Sequence, residues 1–85
     1  MKAQKSYADL SERIIGLLRE ERERRGITKY AVEQTSGITQ QMVSYVERGM
    51  RKPSLETALR MADGIGVDLG VIIQKAERSI RKPKA

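Results

Sequence analysis

The sequence predicts an all-α fold, a compact five-helix bundle, on three observations. Apolar residues recur three and four positions apart in four stretches of the 85 residues, the period of one helix face, and a cap and a glycine bound a fifth, shorter segment. Capping residues and glycines punctuate the intervals between those stretches. No stretch alternates polar and apolar residues as a half-buried strand would, and no internal repeat or low-complexity tract interrupts the pattern. A chain of this length buries roughly 60% of its unfolded surface, enough for one small core. The 39% apolar fraction contains neither Trp nor Phe, so that core must be largely aliphatic.

The elements follow in order. Residues 1–5 have no periodicity and are expected to form a flexible basic tail. Ser6 with Asp9, and Asp9 with Glu12, both have capping-box spacing, and Leu10, Ile14, Leu17 and Leu18 continue at helical spacing to a stop at Gly26. Thr28 is a candidate cap for a short second helix that Gly37 breaks. Thr39 caps a third segment from Gln40 to Glu47, with Met42, Val43 and Val46 on its apolar side and Gly49 at its end. Pro53 and Ser54 open a fourth helix in which Ala58, Leu59, Ala62 and Ile65 are expected to face inward, with termination near Gly64 and Gly66. Asp68 caps a fifth that carries Leu69, Ile72, Ile73 and Ala76 and ends at Lys82-Pro83 at the latest. The predicted organisation is a basic tail over 1–5, one domain over 6–78 and a basic C-terminal tail over 79–85.

Composition narrows the function. Cys and His are both absent, so a disulfide scaffold is excluded, a structural zinc site has no soft ligands, and Cys or His catalysis has no residue to use. No catalytic residue, metal or cofactor is expected. No apolar run is long enough to span a bilayer or to serve as a secretory signal, and the expected location is cytoplasmic. Seventeen Lys and Arg against eleven Asp and Glu leave a charge of +6, which suits nucleic acid or an acidic membrane surface. The excess is local: residues 6–26 are neutral, residues 48–53 carry +3 with no acid, and residues 69–85 carry +4. The dense charge alternation from Arg19 to Arg25 is that of a solvated helix face.

Two short helices joined by a glycine-containing turn form a helix-turn-helix, the unit that places its second helix in the DNA major groove. Such a helix needs amide or small polar side chains at its first turn to meet base edges, and an apolar rear to dock on the body. Gln40 and Gln41, then Ser44 and Tyr45, supply the polar side, while Val43 and Val46 supply the rear. From this segment alone, a second reading stands beside the first, in which both glutamines are merely soluble helix formers.

The wider text adds Arg22-x-x-x-Gly26-Ile-Thr, Val32, Gly37-Ile-Thr39, Val43-Ser-x-Val-Glu47-x-Gly49, Lys52-Pro-Ser-Leu-Glu56, Ala62 and Ile65-Gly-Val67. In this order, from Arg22 to about Ile73, the chain resembles the phage-repressor-like helix-turn-helix family, also called the Cro and repressor or xenobiotic-response-element family. Thr39-Gln-Gln41 is similar to the start of the recognition helix in lambdoid phage repressors, and restriction-modification controller proteins are similar in size and layout. The resemblance implies a lambda-repressor-like DNA-binding domain. It implies that Gln40, Gln41, Ser44 and Tyr45 read bases, that Thr28, Lys29, Thr39, Arg48, Arg51 and Lys52 hold the DNA backbone, and that Arg22 pairs with Glu47 to lock the recognition helix to the first helix. The chain departs from the pattern at Glu33, where a small alanine is usual, so the second and third helices pack differently or the carboxylate escapes to solvent. Lys29 and Arg48 replace a frequent glutamine and asparagine, adding charge, and Gly64 should weaken the end of the fourth helix by up to ~1 kcal/mol relative to alanine.

The implied partner is a double-stranded DNA operator, with no membrane and no small-molecule ligand evident, and with the protein at the nucleoid. One such unit reads few base pairs, so useful specificity calls for a homodimer on half-sites roughly 34 Å apart. Val71 and Ile73 exceed what the core face of the fifth helix requires and are the candidate dimer interface; the competing reading places them in the monomer core. The alternative function is an antitoxin that binds its toxin and autoregulates its operon, disfavoured because residues 1–5 and 79–85 are all that remain for a toxin-binding extension. A nucleotide-binding loop at Gly64, Gly66 and Gly70 fails for want of a preceding strand, and these glycines are expected to terminate helices. Three scattered tyrosines do not make an RNA-stacking platform, and the charge-neutral first helix disfavours a membrane-surface peptide.

Overall fold

A computed structural model describes residues 6–81, and within them the elements are α1 (Tyr7–Arg24), α2 (Lys29–Ser36), α3 (Gln40–Glu47), α4 (Leu55–Ile65) and α5 (Leu69–Arg81), with no strand among the described residues. One local device starts every helix. The side-chain oxygens of Ser6, Thr28, Thr39 and Ser54 accept from the backbone N–H three residues on, at 3.2, 3.0, 3.1 and 3.0 Å, and Asp68 does the same for Val71 at 3.2 Å. Each satisfies one of the N–H groups that a helix start leaves unpaired. Of the two possible caps on α1, Ser6 is used, and Asp9 becomes a first-turn acid where the helix dipole favours it.

The α2–α3 turn is held from several sides. Gly37 adopts φ 83°, a left-handed conformation that disfavours any side chain, and its N–H donates to the Glu33 carbonyl at 2.9 Å. The buried Ser36 hydroxyl donates to the Val32 carbonyl at 2.6 Å and accepts from the Ile38 N–H at 3.0 Å, while Arg60 of α4 donates to the Ser36 carbonyl at 3.2 Å. At the far end of α3, Gly49 (φ 77°) turns the chain so that the Met50 N–H reaches back to the Tyr45 carbonyl at 2.8 Å.

The core is aliphatic, centred on Leu18, Val32, Val43, Val46, Met61 and Ile65, all essentially inaccessible to solvent. Helix α4 is the hub: it packs on α1, α2 and α5, while α3 docks on α1 and α2. Three sequence expectations are corrected. Leu59, expected inside, is 51% exposed, and Met61 is buried in its place. The inward face of α4 runs through residues 58, 61, 62 and 65, and position 59 lies roughly a third of a turn away from its centre. Gly66 (φ 91°) ends α4 as expected, but Gly64 lies inside the helix, which continues to Ile65, and Gly70 lies in the first turn of α5, so neither terminates a helix. At Gly64 α2 comes close, since an added Cβ would lie 3.1 Å from Val32 Cγ1 and 3.2 Å from Ser36 Cβ. Finally, residues 79–81, assigned to a tail, belong to α5, and the Ser79 hydroxyl accepts from Arg13 of α1 at 3.1 Å and donates to the Ala76 carbonyl at 3.2 Å. The tail over 1–5, residues 82–85 and the Lys82-Pro83 stop lie outside the described residues. Among the described residues no helix is long and apolar enough to cross a membrane, and no cluster of acids could hold a metal ion.

Candidate nucleic-acid interface

Helix α3 has two chemically distinct sides. Val43 and Val46 are fully buried, which fixes its rear on the body, and Gln40 and Gln41 are exposed at its first turn. Ser44 and Tyr45, one turn on, are half-buried because neighbours cover them. Lys29, at the start of α2, donates from Nζ to Ser44 Oγ at 3.0 Å, and Gln41 donates from Nε2 to Tyr45 Oη at 3.0 Å. Three of the four polar side chains of α3 are thus linked, Gln41 to Tyr45 and Ser44 to α2, and each hydrogen bond restricts the rotamers available to the groups that make it.

Glu33 makes a contact that its sequence position did not disclose. Its carboxylate crosses from α2 to the N-terminus of α3, where Oε1 accepts from the Gln40 N–H at 3.2 Å. The negative charge sits where the helix dipole is positive and where backbone N–H groups would otherwise face outward. Sequence reasoning missed this contact because residues seven apart meet only when the turn between two helices brings them together. The signal was the acid itself at a position where the family keeps a small residue.

Behind α3, Arg22 and Glu47 make a two-point ion pair, Nε to Oε2 at 2.7 Å and Nη2 to Oε1 at 3.0 Å, and Arg22 Nη1 also donates to the Ile27 carbonyl at 2.8 Å. The Glu47 side chain is 2% exposed and that of Arg22 10%. This parallel geometry is the strong form of the arginine–carboxylate contact, and the Glu47 hydrogen bonds raise the guanidinium pKa above its ordinary value. It ties α1, the α1–α2 loop and the end of α3 into one body. Thr28 and Thr39 are exposed at their helix N-termini, each hydroxyl used as a cap. Arg48, Arg51 and Lys52 are exposed on the loop after α3 and form no ion pair among the described residues. On α5, Val71 is 52% exposed whereas Ile73 packs partly buried against the core, so the two do not share a face.

A model of the helix-turn-helix family matches residues 18–72, from the middle of α1 to the first turn of α5, and takes in α2, α3 and the cationic loop. The chain belongs to this helix-turn-helix family, of the Cro and C1 repressor type. As a helix-turn-helix protein it is similar to an uncharacterized HTH-type transcriptional regulator, y4dJ, of Sinorhizobium fredii, at 41% identity over 46 residues, 54% of this chain and 60% of that one. It is also similar to an uncharacterized HTH-type transcriptional regulator of Haemophilus influenzae, at 33% identity over 51 residues, 60% of this chain and 52% of the relative. The matched stretch therefore spans between half and two thirds of each relative's length. No solved structure matches the chain significantly.

Proposed function

We propose that the protein is a sequence-specific double-stranded DNA-binding transcriptional regulator that places α3 in the major groove of a pseudo-palindromic operator and binds as a homodimer. The observation that carries this is the pair Gln40 and Gln41, exposed on the first turn of a helix whose rear is fully buried. A glutamine amide matches the donor and acceptor pattern of adenine, and each good bidentate pair is worth about 1–3 kcal/mol of discrimination. Ser44 and Tyr45 extend the readout. Thr28, Lys29 and Thr39 hold phosphates at two helix N-termini, and Arg48, Arg51 and Lys52 clamp the backbone beyond α3. The names of both relatives, HTH-type transcriptional regulators, support the same reading. The protein acts in the cytoplasm at the nucleoid, with two copies joined through α5 around Val71.

Selecting binding sites from random duplexes tests this reading. The expected result is a paired motif with half-sites about one DNA turn apart, and failure to enrich any paired motif overturns it. Gln40→Ala with Gln41→Ala should relax base preference at a few positions. Arg51→Ala with Lys52→Ala should weaken every duplex and flatten the salt dependence by about one unit per lost phosphate contact. If both double variants behave alike, the division into reading and clamping residues is wrong.

A further inference from the structure

A groove of about 370 Å³ runs between the first half of α1 and the loop that follows α3. Its floor is apolar, built from Ala8, Ile15, Gly16, Val46 and Pro53, and its far rim carries Arg48, Arg51 and Lys52. That volume lies at the lower end of the roughly 300–1,000 Å³ range of small-molecule pockets. Gly16 keeps the groove open on the α1 side, because a Cβ there would meet nothing within 4 Å. Of the charged residues that line it, Glu47 is already held by Arg22 and Arg19 is paired with Glu23, which leaves Glu12 against three cations, Arg48, Arg51 and Lys52, that have no ion-pair partner among the described residues.

We infer that this groove binds a small amphiphilic anion, with an apolar body on the floor and a carboxylate or sulfonate head against Arg51 and Lys52. Charge complementarity selects this occupant. The segments 1–5 and 82–85, which carry Lys2, Lys5, Lys82 and Lys84 and no Asp or Glu, match the rim poorly. A bare phosphate would use the rim and leave the floor wet, whereas an amphiphile satisfies both halves. Through the rim the site also acts on the proposed DNA contacts, on which this second part rests: Arg51 and Lys52 cannot hold the anion head and a phosphate at once. Mutually exclusive binding at ten times the ligand's Kd weakens duplex affinity about tenfold.

The probe is 8-anilinonaphthalene-1-sulfonate, titrated by fluorescence into the free protein without DNA, with octanoate as competitor. One saturable site is expected. Gly16→Leu fills the groove from α1 and should weaken binding at least tenfold with an unchanged or higher melting temperature, since glycine is a poor helix former. Ser11→Leu, on the exposed side of the same wall, is a second filling variant with the same expected loss. Arg51→Ala with Lys52→Ala should weaken the probe at least tenfold as well. Absence of a saturable site, or wild-type affinity in either filling variant that still melts cooperatively, overturns the groove site whatever the duplex does. Saturating octanoate should then weaken duplex binding by wild type and not by Gly16→Leu. Equal duplex affinity with and without octanoate overturns the competition while leaving DNA binding itself intact.

Discussion

At Gly64 a Cβ would lie 3.1 Å from Val32 Cγ1 and 3.2 Å from both Ser36 Cβ and the Val32 carbonyl oxygen, whereas at Gly16 it would meet nothing within 4 Å. Both glycines are helical, so propensity alone favours alanine at each by up to ~1 kcal/mol. Packing reverses the sign at Gly64. Backbone cannot retreat as a side-chain tip can, and overpacking of this kind costs about 1–3 kcal/mol. Gly64→Ala should therefore lower stability in urea unfolding while Gly16→Ala raises it; a stabilised Gly64→Ala would show that α2 does not rest on that surface. The Arg22–Glu47 pair is the other residue on which much hangs. Glu47→Ala strands a buried guanidinium and should cost about 3–5 kcal/mol, while Arg22→Met with Glu47→Leu should recover most of that loss. If the single variant costs under ~1 kcal/mol, the pair does not hold α3 to α1.

At the scale of the element, what the sequence disclosed and what it hid divide by distance along the chain. Caps and stops depend on residues three or four apart, and each helix begins at the Ser, Thr or Asp that its spacing marked. The close approach at Gly64 and the carboxylate of Glu33 at α3 depend instead on which neighbour packs where, and one-dimensional spacing carries little of that. The pairing of Arg22 with Glu47 came from family resemblance, since nothing local links residues 25 apart. Glu33 has a consequence for the element it caps. Its charge occupies the N-terminus of α3, where an anion is otherwise favoured, so it would offset part of the phosphate attraction proposed for Lys29 and Thr39. Glu33→Gln keeps an acceptor for the Gln40 N–H and removes the charge. We expect tighter binding to all duplexes alike, by about 1 kcal/mol at low salt, with base preference unchanged in a mobility-shift series. Weaker binding would mean that the carboxylate positions α3 more than it repels the backbone.

For the whole molecule the proposed function needs two copies, because a single α3 would read too few base pairs to select an operator. In a two-fold interface each residue faces its own counterpart or a near neighbour, so one substitution is introduced twice. Val71 is suited to that role: it is apolar, 52% exposed and beside Lys75, Arg24 and Arg25, which gives an apolar point within a charged rim. Val71→Glu would force a carboxylate on each copy to lose water in the proposed contact without disturbing the core, and such surface changes alter monomer stability by only about 0.5 kcal/mol. Sedimentation equilibrium should then find a dimer for wild type and a folded, cooperatively melting monomer for Val71→Glu, with affinity for the paired motif reduced to that for one half-site. Ile73→Ala gives the contrast, since Ile73 packs against the core: it should lower the melting temperature and leave the dimer in place. A dimer that survives Val71→Glu would move the interface off this face of α5, and a monomeric Ile73→Ala that still melts like wild type would return Ile73 to it.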